Sequence, residues 1–154
     1  MQDQASVKPL NRAELGAWRG LLRVHADLVR ELDAELEREH GLSLSSYEVL
    51  LHLHDAPDRR LRMNELAESV LLTVSGITRV VDRLVRDGLV ARERCTTDRR
   101  GLNAVLTDAG AEAFLAARCT HLRGVRERFL SRLDRADQER LGAIWEALLP
   151  GSAA

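Results

Sequence analysis

The stretch Val74-Ser75-Gly76-Ile77-Thr78-Arg79-Val80-Val81-Asp82-Arg83-Leu84-Val85-Arg86 decides how the rest of the chain is read. Placed on a helix at about 100° per residue, it separates into two arcs. Ile77, Val80, Val81, Leu84 and Val85 occupy one; Ser75, Gly76, Thr78, Arg79, Asp82, Arg83 and Arg86 occupy the other. Such a helix buries one face and offers the other. The offered face carries small hydroxyls and a glycine at its N-terminal end, then long cations. Small groups permit close approach to base edges, and arginine reaches guanine or phosphate.

The neighbouring residues extend this unit. Met63 to Val70 reads as a short helix with Glu65 and Glu68 near its positive end, and its Leu66, Ala67 and Val70 can meet the apolar arc. Leu71-Leu72-Thr73 is a tight turn in which Thr73 suits the N-cap of the next helix. Two helices around a three-residue turn, the second polar-faced, make a helix-turn-helix. Asp87-Gly88 closes the second helix, because glycine adopts the left-handed conformation cheaply. Leu89–Arg94 and Leu102–Leu106 then read as two short strands around a polar loop, Cys95 to Gly101, that contains Arg99 and Arg100. A hairpin placed after such a helix is a wing.

On either side lie long helices. Leu15, Trp18, Leu22, Val29, Leu32 and Leu36 form one apolar stripe along a helix from about Asn11 to Glu39, and Gly41 suits its stop. Ser43 or Ser45 caps a second helix through Tyr47, Val49, Leu50 and Leu53, which Ala56-Pro57-Asp58 ends. Thr107 caps a long helix from about Asp108 to Leu133, and a last helix holds Leu141, Ile144, Trp145 and Leu148 on one face. The fold class is mainly α with a small β-hairpin: a winged helix-turn-helix lobe over 43–106, and a helical dimerisation lobe from 11–40 and 108–149. The terminal stripes would form a larger apolar surface than a monomer normally exposes, which predicts a homodimer.

The charge pattern agrees with an anionic partner. The 154 residues carry a net charge of −1, yet ten arginines face six acids between Arg59 and Arg100. A basic middle between acidic ends fits a chain whose centre alone meets phosphate. No apolar run is long enough to span a membrane and no signal-peptide core opens the chain, so a cytoplasmic location is expected. No serine-histidine-acid arrangement, phosphate-cradling glycine loop or isolated carboxylate pair points to catalysis, and no cofactor is implied. His25, His40, His52 and His54 lack reliable zinc spacing, so no metal is expected. Cys95 abuts the wing and becomes a redox switch if flanking arginines lower its pKa; the plainer reading is a small residue ending a strand. Cys119 is expected to pack within the long helix.

These residues resemble the MarR family of bacterial regulators. The resemblance rests on Asn64-Glu65-Leu66-Ala67-Glu68, on Val74 to Leu84, and on Gly88-Leu89-Val90. It continues in Asp98-Arg99-Arg100-Gly101 and Val105-Leu106-Thr107-Asp108-Ala109-Gly110, so that one such domain covers nearly all of 1–154. It implies an interlocked homodimer acting on double-stranded DNA as a transcription regulator, expected to be a repressor released by a small aromatic or anionic effector. Thr73, Ser75, Gly76, Thr78, Arg79 and Arg83 would then meet the major groove. In the wing, Asp98 would orient arginine, with Arg99 and Arg100 at the DNA and Arg100 reaching the minor groove. Trp18, His25 and His52 are candidates for the effector pocket, with ordinary packing as the alternative. An architectural DNA-binding protein without an effector, or a redox sensor through Cys95, also remains open. Many relatives have glycine where Leu71 stands; leucine disfavours positive φ, which predicts a differently tightened turn.

Overall fold

The computed structural model describes residues 8–70, 74–94 and 101–151. Helix α1 runs Arg12–His40, α2 Leu44–Asp55, α3 Met63–Ser69, α4 Val74–Arg86, α5 Asp108–Arg128 and α6 Arg135–Leu148. Three strands accompany them: β1 Arg60–Arg62, β2 Val90–Arg94 and β3 Leu102–Leu106.

Local chemistry sets most of the boundaries. The Asn11 side chain accepts from the N–H groups of Ala13 and Glu14, and the Glu14 carboxylate accepts in return from the Asn11 N–H, a complete capping box. Gly41, at φ 64°, ends α1 in the left-handed conformation. Ser43, of the two candidate serines, caps α2 by accepting from the Ser46 N–H. Thr107 accepts from the Gly110 N–H to start α5 and donates to the Gly88 carbonyl, which fixes the helix to the turn after α4.

The core lies where α2, α3, α4 and α5 meet the sheet. Leu36, Leu50, Leu53, Leu66, Ile77, Val81, Leu84 and Phe114 are all buried within it. Tyr47 stacks on Phe114 with ring centroids 5.6 Å apart, and the His121 ring lies 4.5 Å from Tyr47. A polar seam joins α1 to α5. Arg123 donates to the carboxylates of Glu35 and Glu39, Arg128 donates to Glu35, and His40 meets the Thr120 hydroxyl at 2.8 Å. These hydrogen bonds, Arg123 first, hold the Glu35 carboxyl below its usual pKa against the opposing effect of its burial.

Three expectations need correction. The sheet has three strands, not two, in the order β1-β3-β2 with both pairings antiparallel. Three residues are too few to show an alternating pattern, so Arg60-Leu61-Arg62 is recognisable as a strand only through its pairing with Val105, Ala104 and Asn103. Secondly, α5 ends at Arg128 and a 3₁₀ turn over Leu130–Arg132 follows; no glycine or proline marks that break in the sequence. Thirdly, Cys119 is exposed. The inward arc of α5 carries Phe114, Ala117, Thr120 and Gly124, and Cys119 falls outside it.

Candidate nucleic-acid interface

The arcs of α4 are distributed as the helical wheel requires. Ile77, Val81 and Leu84 are fully buried, and Val80 and Val85 pack partly against the same core. Arg79, Asp82 and Arg86 are exposed on the opposite side, with Gly76, Thr78 and Arg83 half-buried. The polar face of α4 is therefore a surface. Its apolar face anchors it on α2, α3 and β2.

Among the described residues, two ion pairs hold that helix to the rest of the protein. The Arg92 guanidinium in β2 lies 2.7 Å from the Asp82 carboxylate. Arg83 donates to the Glu37 carboxylate at 3.0 Å and to the Gly41 carbonyl at 3.1 Å, both at the end of α1. The sequence reading placed Arg83 at the major groove; the structure pairs it with a residue 46 positions away in the chain. Nothing in local spacing could have found that contact.

The strands of the wing pair from Val90↔Leu106 to Arg94↔Leu102. Arg60 in β1 lies 3.4 Å from Glu93 in β2, so the outer strands are also linked electrostatically. Arg59, just before β1, donates to Asp108 at the start of α5. The turn and cap readings at Leu71 and Thr73, the side chain of Ser75, and the wing residues Cys95, Asp98, Arg99 and Arg100 lie outside the described residues.

Among the candidate effector residues, Trp18 and His25 are exposed on the N-terminal half of α1, while His52 is half-buried in α2. A groove of about 570 Å³ lies between α1 and the end of α5, over Val24, Leu28, Phe129 and Leu133, and its lining does not include these three residues. Of the other histidines in the sequence reading, His40 engages Thr120 on α5, and His54 meets Asp55 and lies 4.7 Å from the Phe114 ring. Among the described residues no helix is long and apolar enough to cross a membrane.

Comparison with known proteins places this geometry. The sequence profile of the MarR family matches residues 40–101. The chain is 34% identical over 111 residues to the transcriptional repressor YetL of Bacillus subtilis, a match spanning 70% of this chain and 66% of that relative. Its structure is similar to that of AbsC, a MarR family transcriptional regulator from Streptomyces coelicolor, with a TM-score of 0.86 and 33% identity over 92% of this chain and 95% of AbsC. A second MarR family regulator from the same organism, solved in complex with DNA, is 36% identical with a TM-score of 0.86, over 93% of this chain and 96% of its own. With the helix-turn-helix, the wing strands and the flanking long helices all matched, the chain belongs to the MarR family of transcriptional regulators.

Proposed function

We propose that this protein is a cytoplasmic repressor that binds a near-palindromic operator in double-stranded DNA as a homodimer and is released by a small-molecule effector. The observation that carries the reading is the division of α4, whose apolar arc is locked into the core while Arg79 and its polar neighbours stand at the surface. Thr73, Ser75, Gly76, Thr78 and Arg79 are assigned to the major groove, and Asp98, Arg99 and Arg100 to the wing contact. The relative solved with DNA supports the choice of partner.

The dimer is supported by apolar surface that one chain leaves uncovered. Trp18, Leu21, Leu22, Val24 and Val29 are exposed along α1, and Ile144 and Leu148 along α6. An apolar surface of this extent favours burial against a second copy. The twofold axis of such a dimer would place two recognition helices about 34–36 Å apart, one turn of DNA. Effector binding beside α1, with Trp18, His25 and His52 as candidate contacts, would act by changing that spacing. A coupling of only about 1–3 kcal/mol changes occupancy usefully.

The test is selection from a random-sequence duplex pool by the full chain, followed by footprinting upstream of its own gene. Enrichment of an inverted repeat with half-sites about one turn apart is expected. Arg79→Ala should relax the preference at one symmetric position, whereas loss that is uniform over all positions would reassign Arg79 to phosphate. No enrichment would overturn the DNA-binding reading, and sedimentation as a stable monomer at micromolar concentration would overturn the dimer.

A further inference from the structure

Arg83 lies on the polar arc of α4, yet its guanidinium reaches back to α1. One nitrogen, Nη2, donates to Glu37 Oε1 at 3.0 Å and to the Gly41 carbonyl at 3.1 Å. Both acceptors belong to one helix end: Gly41 caps α1, and its own N–H closes onto the Glu37 carbonyl. The last carbonyls of a helix carry the negative end of its dipole, so the Glu37 carboxylate and the Gly41 oxygen form a socket for a cation. Arg83 and Glu37 remain 42% and 48% exposed, and a pair so open to water stabilises a fold little.

The consequence is geometric. The buried arc of α4 packs on α2, α3 and β2, while α1 packs mainly on α5 and α2. The socket is thus a direct polar link between the recognition helix and the helix whose N-terminal half carries the uncovered apolar surface.

We propose that Arg83 is a positioning residue, which passes the placement of α1 to α4 through Glu37 and Gly41 and so sets the angle at which the recognition helix meets DNA. This rests on the DNA-binding dimer reading above. It removes Arg83 from the base contacts and makes Glu37, an acid on a dimerisation helix, a determinant of DNA specificity.

The experiment compares the full chain with Glu37→Gln, Arg83→Gln and the double variant. It measures affinity for a duplex selected by the unmodified protein and for a random duplex, over a series of salt concentrations. Each single variant should lower the selected-to-random ratio at least about fivefold, and the double variant no further than the worse single. Glu37→Gln discriminates most sharply, because neutralising an acid would tighten binding to any polyanion if charge alone mattered. Three results overturn the proposal: an unchanged ratio in Glu37→Gln, single effects that multiply in the double variant, or a salt slope reduced by about one unit in Arg83→Gln alone, the mark of a phosphate contact. Circular dichroism checks folding, and if Arg83→Gln folds poorly the exposed Glu37 site decides the matter by itself. Absence of any duplex preference in the unmodified protein would sink the DNA-binding reading along with this one; an additive cycle would sink this one only.

Discussion

Arg92, in the first strand of the wing, lies 2.7 Å from the carboxylate of Asp82 on the recognition helix. The pair ties α4 to β2 beyond the turn at Asp87-Gly88 and their packing edge. Asp82 faces the same side as Arg79, where a lone carboxylate would repel phosphate. Its pairing explains why an acid is tolerated there. Asp82→Ala should cost the fold only about 0.5–1 kcal/mol, since both groups are partly solvated. It should nevertheless weaken binding to a selected duplex by loosening the wing. Fluorescence anisotropy checks this; tighter binding would show that Asp82 acts only as an unfavourable charge.

Arg100→Ala should weaken binding to all duplexes alike and lower the slope of log affinity against log salt by about one unit. Titrations at low and high salt measure it. Equal affinities for variant and parent at both would remove the wing from the mechanism.

Gly110 permits a close approach between α5 and the turn after α4. A Cβ placed there would lie 2.0 Å from the Leu89 carbonyl oxygen and 2.7 Å from Leu106 Cδ1. The carbonyl cannot swing aside as a side chain can, because it accepts from the Thr107 N–H. Gly110→Ala should therefore cost about 3 kcal/mol or more, at the upper end of overpacking effects. Urea denaturation reads the loss directly, and a change below about 1 kcal/mol would mean that α5 can slide.

Acid stability should depend on the seam between α1 and α5. The Glu35 carboxyl is held below its ordinary pKa, chiefly by the hydrogen bond from Arg123 and further by Arg128. Its contribution is thus present above the unfolded value of about 4.5 and is lost as pH falls through the folded one. His121 adds to the acid loss earlier: burial lowers its pKa below about 6.5, so protonation opposes folding as pH falls beneath that value. Burial raises the carboxyl of Glu48, which works in the opposite direction. The Nδ1 of His121 is buried without a hydrogen-bond partner, and its ring already packs on Tyr47. His121→Phe should flatten the fall in melting temperature between pH 7 and 5, while Glu35→Gln should flatten the fall below pH 4.5. Thermal melts across pH test both, and slopes identical to the parent would reassign the acid loss to other groups.

What the sequence by itself determined was everything that repeats along one element or is signalled by one residue. The bounds of α4, the division of its two arcs, the cap at Thr107 and the stop at Gly41 were all legible, and Ser43 was one of two candidate caps for α2. Helical periodicity and capping chemistry act over three or four residues, and the information they need lies within that span. The same locality explains the misreadings. β1 exists because Arg60, Leu61 and Arg62 find Val105, Ala104 and Asn103 more than forty residues on, and Cys119 is exposed because of where α5 settles on α1 and α2. Only tertiary structure decided which charges on the polar face of α4 are already engaged. On the wheel Arg79 and Arg83 are equivalent cations one turn apart; in the fold Arg79 stands exposed at the surface, whereas Arg83 is held by the end of α1. An ion pair between helices depends on how they cross, and that angle is set by the packing of the whole core.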